Sequence, residues 1–332
     1  VCAASREELV RYHVSSGTTG KPTVVGYTEN DLSLWTTSLA RPLTSCGLGR
    51  GDVIQVSYGY GLFTGGLGLH YGAERIGATV IPTSVGGTER QIELMQDLGA
   101  TAICCTPSYL LHMGEVAEKM GVSIKKDTKL RAGILGAEPW SEAMRRRIEA
   151  DTGVKAYDIY GLSEIIGPGV GIECLHQKGL HLFEDHFLPE IIDPQTGQVL
   201  PDGAEGELVL TTLSKQAMPM IRYRTRDITT LVPEPCACGR SIRRIRRVAR
   251  RSDDMFIIRG VNVFPSQVET ALLRVEGTLP HYEIVLTRDK GLDYMDVRVE
   301  VTPEIFPDKM GALEAVHRKL EEAIEQVRGI RV

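Results

Sequence analysis

Between Val14 and Thr23 the chain reads Val-Ser-Ser-Gly-Thr-Thr-Gly-Lys-Pro-Thr, with five hydroxyls, two glycines and one lysine in ten residues. Glycines let backbone N–H groups approach a ligand closely, and hydroxyls with a cation suit the oxygens of a polyphosphate. The spacing is not that of the Walker loop, because Gly17 and Gly20 stand only three apart and Pro22 follows Lys21. Pro22 also disfavours a helix starting at once, so the loop is expected to join two strands. An ordinary Ser/Gly hairpin turn has the same composition. Further along, Asp158-Ile159-Tyr160-Gly161-Leu162-Ser163-Glu164 ends an apolar strand. The ends of parallel strands are where open α/β sheets bind ligands. There Tyr160 beside Gly161 can stack on a purine, and Glu164 is a hard oxygen ligand for Mg2+. Gly133-Ile-Leu-Gly136-Ala137-Glu138-Pro139 ends a second strand with small residues against which a flat ligand fits. In Arg222-Tyr-Arg-Thr-Arg226-Asp227, the Asp227 carboxylate can accept both hydroxyls of a ribose. Arg250-Arg251-Ser252-Asp253-Asp254 lies where the pattern of elements changes, the position of a hinge. Taken singly, each of these segments also reads as an ordinary turn, strand edge or linker.

The elements that must hold these residues follow from periodicity. Helices over 29–47 (capped by Asn30 or Asp31), 89–98, 108–120 and 141–152 alternate with apolar strands at 51–57, 79–82, 102–106, 132–136 and 154–159. That alternation predicts a layered α/β domain with a largely parallel sheet. After Leu180, short strands separated by Asp193-Pro194 and Pro201-Asp202-Gly203 predict a β subdomain over about 180–250. Residues 251–332 read as βαββα, a small α+β lid of ferredoxin-like order. The expected domains are therefore 1–250 and 251–332.

With 332 residues the chain is long enough for about two domains. A net charge of −5 gives no reason to expect nucleic-acid binding, and no apolar run is long enough to span a membrane. Seven cysteines, two of them adjacent at Cys104-Cys105, suit reduced thiols and a cytoplasmic location.

The order of these motifs is more specific than any one of them, and it resembles that of the adenylate-forming enzymes, the superfamily of acyl-CoA synthetases, adenylation domains and luciferases. Within that superfamily the chain most resembles the phenylacetate–CoA ligase family. The resemblance is carried by the Ser15–Tyr27 segment, by Tyr58-Gly-Tyr-Gly-Leu-Phe63-Thr-Gly-Gly66, by Glu184-Asp-His-Phe187, and by the run from Arg251-Ser-Asp-Asp through Val-Asn-Val-Phe-Pro-Ser-Gln-Val to Glu269.

The resemblance implies that ATP and a carboxylate give an acyl-adenylate, whose AMP is then displaced by coenzyme A. It implies an aryl acid, best phenylacetate. The polyphosphate would be held by Ser15, Ser16, Gly17, Thr18, Thr19, Gly20 and Lys21, and Mg2+ by Glu164. The nucleotide would lie against Gly136, Ala137, Glu138, Asp158, Ile159, Tyr160, Gly161 and Ser163, with Asp227 and Arg251 at the ribose. Glu164, Lys21 and the hinge residue Asp253 would act in catalysis. Tyr58, Phe63 and Gly136 would wall the acid pocket, Gly260 would line the coenzyme A tunnel, and the enzyme would be a homodimer.

Against the family pattern, an N-terminal stretch and a C-terminal strand with its adenylation lysine are expected to fall outside these 332 residues, and Arg250 stands where the family has glycine. Two other readings stay open: an adenylyltransferase using another acid or acceptor, and a non-catalytic nucleotide-binding module.

One further cluster is independent of that chemistry. Cys236-Ala-Cys238-Gly239 forms a thiolate hook, with Cys174 and His181 upstream. Three thiolates and an imidazole make a closed structural zinc site, with His176 as an alternative ligand and free thiols as the alternative state. Seven arginines between Arg240 and Arg251 suit either phosphate steering or a salt-bridged strand face.

Overall fold

The computed structural model describes residues 2–15, 23–248, 250–252, 256–258, 261–263, 265–289, 292–302 and 310–328. The chain divides into two compact units, residues 1–138 with 148–248, and residues 139–147 with 249–332.

The larger unit opens with an antiparallel hairpin of β1 (Leu9–Val14) and β2 (Val24–Thr28). The Ser/Thr/Gly loop joins its two strands. Helix α1 (Glu29–Ser45) follows at once. Its cap is Thr28 rather than Asn30 or Asp31. The Thr28 hydroxyl accepts the Asp31 N–H at 3.1 Å, and the Asp31 carboxylate accepts the Thr28 N–H at 3.0 Å. Asp31 therefore serves the cap from the third helical position, in a capping box, and the helix starts at Glu29 as its periodicity predicts.

The chain then alternates: β3 (Val53–Val56), α2 (Thr64–Arg75), β4 (Thr79–Ile81), α3 (Thr88–Asp97), β5 (Ala102–Cys105), α4 (Pro107–Lys119), the single turn α5 (Ile124–Asp127), β6 (Ala132–Gly136), α6 (Glu142–Thr152) and β7 (Lys155–Leu162). Four-residue strands with no polar face, such as Ala-Ile-Cys-Cys in β5, are what a parallel sheet covered on both faces requires. β4, β3, β5, β6 and β7 lie side by side in that order and run parallel. The chain steps outward from β3 to β4 and then crosses back to β5 on the other side of β3. Right-handed crossovers in opposite directions place helices on both faces. Accordingly α1 packs with α2, and α3 with α4.

β7 is the pivot. Its second neighbour, β8 (Gly167–Glu173), runs antiparallel, and the sheet continues through β9 (Leu180–Leu182), β13 (Arg244–Ile245), β12 (Tyr223–Val232), β11 (Glu205–Thr212) and β10 (Phe187–Ile192). Antiparallel pairing thus begins before residue 180, and these strands are hydrogen-bonded into the same sheet as the parallel ones. One core runs beneath both halves, from Trp35, Leu39 and Leu43 of α1 through Ile54, Ile134 and Ile159 to Phe187 and Leu208.

The smaller unit contains β14 (Arg250–Arg251), the hairpin β15 (Phe256–Ile258) and β16 (Val261–Val263), α7 (Pro265–Leu272), the hairpin β17 (Thr278–Asp289) and β18 (Leu292–Val301), and α8 (Met310–Arg328). The βαββα order is present with β16 as an added short strand. Val268, Ala271 and Leu272 of α7 bury against Met295 of β18 and Ile324 of α8 in a core of its own. Among the described residues, no helix is long and apolar enough to cross a membrane.

Candidate active site

The strand order reverses between β3 and β5, and the carboxyl ends of strands near such a point are where doubly wound sheets bind ligands. Tyr58 stands just past the end of β3. The side chain is only 5% exposed. Its hydroxyl donates to Cys105 O at 2.6 Å, also lies 3.1 Å from Gly136 O, and accepts the Gly136 N–H at 3.0 Å. One phenol thus joins the ends of β3, β5 and β6, and burial holds its acidity well below that of a free tyrosine.

Above it a cavity of about 140 Å³ is lined by Tyr58, Phe63, Thr64, Gly65, Leu69, Ala137, Ile159, Gly161, Ser163 and Pro168. Of the residues expected at the acid or nucleotide, it brings together Tyr58, Phe63, Ala137, Ile159, Gly161 and Ser163. The Tyr58 and Phe63 rings face each other at 6.2 Å. Thr64 and Ser163, hydroxyl to hydroxyl at 3.3 Å, form a polar wall. Among the described residues, no charged side chain lines it.

Gly136 does not line the cavity. A Cβ there would collide with the Ile159 carbonyl on the adjacent strand. The glycine lets β6 pair closely with β7, and its peptide holds Tyr58. Ala137, next in sequence, has φ +69°, a left-handed conformation that costs an alanine about 1–3 kcal/mol. Glu138 turns away toward α4. Its carboxylate accepts the Ser108 N–H at 2.7 Å and the Ser108 hydroxyl at 3.0 Å, completing the N-terminus that Pro107 opens.

The rest of the expected nucleotide set falls along β7 and beside it. Asp158 is buried and ion-paired with Arg247 at 3.3 Å, and its N–H donates to buried Glu173 at 2.9 Å. Tyr160 donates its hydroxyl to Asp227 at 2.5 Å. Asp227 follows Arg226, whose φ of +68° is another left-handed residue, at a break in the β11–β12 register. Glu164 sits half-buried in the turn after β7. Among the described residues its carboxylate makes no hydrogen bond or ion pair, so its oxygens are available to a hard cation. Ser15 closes the base of the Ser/Thr/Gly loop: its N–H donates to Thr23 O at 2.9 Å and its hydroxyl accepts the Thr23 N–H at 3.0 Å. Ser16, Gly17, Thr18, Thr19, Gly20, Lys21, Asp253 and Gly260 lie outside the described residues. Arg251 is half-buried in β14 of the smaller unit.

Three features were not singled out by the motifs. Thr64 and Gly65, inside the glycine-rich run, and Leu69 and Pro168, outside it, also line the cavity. Arg247 pairs with Asp158 from within the arginine-rich run. Lys215 lies buried in the loop between β11 and β12, with Nζ donating to the Glu164 carbonyl at 2.8 Å. Burial pulls its ammonium down to about 8, against the opposing pull of Asp31 and Glu164. The arginine-rich run is largely paired: Arg243 binds Glu184, and Arg244 donates to the carbonyls of Lys178 and Glu234.

Away from the cavity, one ligand atom each from Cys174, His181, Cys236 and Cys238 lie within 4.8 Å of one another. Cys174 Sγ and Cys236 Sγ are 3.7 Å apart, and Cys238 Sγ is 3.4 Å from His181 Nε2. Gly239 (φ +79°) allows the tight turn that brings Cys236 and Cys238 to one side. Burial pulls the His181 imidazole down to about 4, so it is neutral at pH 7, the ligating form.

A family model described as AMP-binding enzyme matches residues 2–218, and one described as AMP-binding enzyme C-terminal domain matches residues 260–332. The chain is 53% identical to the phenylacetate-coenzyme A ligase of Pseudomonas putida, over 99% of this chain and 74% of that protein. The chain belongs to the phenylacetate–CoA ligase family of AMP-binding enzymes. It is 50% identical to the Escherichia coli K12 phenylacetate-coenzyme A ligase, over 98% of this chain and 72% of that one. Among solved structures, 2-hydroxyisobutyryl-CoA ligase in the postadenylation state with R3-HIB-AMP superposes with a TM-score of 0.92 at 28% identity, covering 99% of this chain and 70% of that one.

If the Tyr58 hydroxyl ties the three strand ends, Tyr58→Phe leaves the buried Gly136 N–H unpaired. The expected loss is about 1–3 kcal/mol of stability in urea denaturation. An unchanged midpoint and slope would show that the bond does not matter.

Proposed function

We propose that the protein is an ATP-dependent acid–CoA ligase acting on phenylacetate. The observation that carries this is the cavity of about 140 Å³ at the carboxyl ends of β3, β6 and β7, walled by aromatic and aliphatic side chains with one hydroxyl pair and, among the described residues, no charged side chain, in a chain of this family. An apolar cavity of about 150 Å³ accommodates a benzene ring. Phenylacetate is a ring with a short arm, and the Thr64–Ser163 wall suits the carboxylate end.

In the first half-reaction a carboxylate oxygen attacks the α-phosphorus of ATP, and pyrophosphate leaves. In the second the coenzyme A sulfur attacks the acyl carbon, the bond to the AMP oxygen breaks, and the thiol proton is lost to solvent or a base. The protein's share is positioning and charge placement. In this reading Ala137, Ile159 and Tyr160 border the nucleotide and Asp227, which accepts the Tyr160 phenol, receives the ribose hydroxyls. Gly136, Glu138 and Asp158 act from behind, through the backbone pairing, helix cap and ion pair described above. Ser15 to Lys21 hold the outer phosphates, Arg251 approaches the ribose, Asp253 is the hinge, and Gly260 lines the coenzyme A path. Glu164 fits Mg2+, because a carboxylate with uncommitted oxygens is the ligand that ion takes. Held there by Glu164, the ion would supply charge neutralisation for the pyrophosphate.

The four-residue Cys/His cluster is proposed to hold one structural Zn2+. The 3.7 Å sulfur–sulfur separation matches the edge of a tetrahedron with Zn–S bonds of about 2.3 Å. None of the seven cysteines forms a disulfide, which supports a reducing, cytoplasmic setting. The homodimer rests on family resemblance.

A panel of carboxylic acids, followed by AMP release with and without coenzyme A, tests the assignment. Phenylacetate is expected to give the highest kcat/KM, with phenylacetyl-CoA as product. Exchange of ATP and pyrophosphate without coenzyme A consumption would favour an adenylyltransferase instead. Nucleotide binding without turnover of any acid would favour a binding module. For the metal, elemental analysis of protein purified without chelator should give one zinc per chain, lost in Cys236→Ser. Protein free of zinc from the outset would refute that site.

A further inference from the structure

The turn that carries Glu164 is held from beneath by two side chains. Tyr27 of β2 donates its hydroxyl to Ile166 O at 3.0 Å, and Lys215 donates its ammonium to Glu164 O at 2.8 Å. Lys215 is itself only 5% exposed, and its Nζ lies 5.6 Å from the centroid of the Tyr27 ring. A buried ammonium is costly unless its surroundings offset the lost hydration. Here the offset comes from the carbonyl, the ring face, and the carboxylates of Asp31 and Glu164.

The lysine has a rigid base. The Asp31 carboxylate accepts the next two backbone N–H groups, Gln216 at 2.7 Å and Ala217 at 2.9 Å, while also serving the cap of α1. The Thr28 hydroxyl donates to the Gln216 side chain at 3.2 Å. The Gly26 N–H reaches Met218 Sδ at 3.3 Å. The loop between β11 and β12 is thereby fastened to the strand that follows the Ser/Thr/Gly loop, and Lys215 extends from that anchor to the Glu164 turn.

We propose that Lys215 is a positioning residue that fixes the peptide of Glu164, and so aims the Glu164 carboxylate at a divalent cation. This rests on the reading of Glu164 as the Mg2+ ligand. Lys215 is not among the residues that line the cavity. It holds the carbonyl of the residue whose side chain does the ligating, and its charge stands beneath that carboxylate. A neutral side chain of similar length would leave the Glu164 carbonyl without this donor and the turn free to shift.

The test is Mn2+ binding to the full chain, read by electron paramagnetic resonance with α,β-methylene-ATP present, in Lys215→Met, Lys215→Arg, Glu164→Gln and the Lys215→Met/Glu164→Gln double variant. Lys215→Met is expected to weaken Mn2+ binding about tenfold, the scale seen when a group orienting a metal ligand is removed. The double variant should bind no more weakly than Glu164→Gln alone, because Lys215 acts through Glu164. Lys215→Arg, which keeps charge and donors, should stay within about threefold of the parent; it decides the matter if Lys215→Met does not fold. The inference is overturned if Glu164→Gln weakens binding but Lys215→Met does not, if the two losses add, or if Lys215→Arg loses as much as Glu164→Gln. If Glu164→Gln itself leaves Mn2+ binding unchanged, the metal reading fails first.

Discussion

A hydroxyl group buried at the end of a parallel strand must find partners or destabilise the fold, and the whole site is arranged around how Tyr58 finds them. Its phenol reaches the carbonyl of Cys105 and the peptide of Gly136, so three strand ends that share no loop are held at one point. That point is where the strand order reverses, the place at which loops on either side splay apart and leave room. The ring then serves as cavity wall because the oxygen is already committed inward. A second consequence falls on Gly136. Its N–H is bound to Tyr58 and any Cβ would strike Ile159, so the backbone there can only support the site from behind.

The far wall depends on the pivot strand β7, which has parallel neighbours on one side and antiparallel ones on the other. Its end passes directly into the turn bearing Ser163 and Glu164, and that turn is not free-standing. Tyr27 and Lys215 hold its carbonyls, and Asp31 holds the segment from which Lys215 comes. One carboxylate thus links a helix cap, a loop between distant strands and the turn at the cavity's edge. Buried polar groups connected in this way resist displacement, because moving any member leaves another unpaired.

Much of this was legible in the residues. Alternating apolar strands and helices gave the layered α/β order, the Tyr-Gly-Leu-Ser-Glu segment put Ile159 and Ser163 at a strand end, and the family resemblance supplied Tyr58 and Phe63 as pocket walls. What was not legible came from long-range pairing. Glu138 looks like a cavity residue in sequence, yet the nearest unsatisfied donors are those of α4, thirty residues away. Asp158 looks equally exposed to ligand until Arg247 is seen to pair with it from the far side of the antiparallel strands. Lys215 belongs to no motif, since its meaning depends on a carbonyl fifty-one residues earlier. The helix start at Glu29 is legible but its cap is not, because Asp31 is an acceptable cap by type and only the reciprocal bond with Thr28 decides between them. Cys174, His181, Cys236 and Cys238 form the opposite case: a short hook and two upstream residues sufficed, and the antiparallel strands bring all four together.

The central claim is that the carboxylate of phenylacetate, seated in this cavity, becomes joined to the α-phosphate of ATP. Phenylacetate labelled with 18O in both carboxylate oxygens tests this directly by mass spectrometry of the AMP released on thioester formation. An acyl-adenylate requires one carboxylate oxygen to bridge carbon and phosphorus and to leave with AMP. The account predicts a single 18O in each AMP formed. AMP without label, alongside phenylacetyl-CoA, would contradict it.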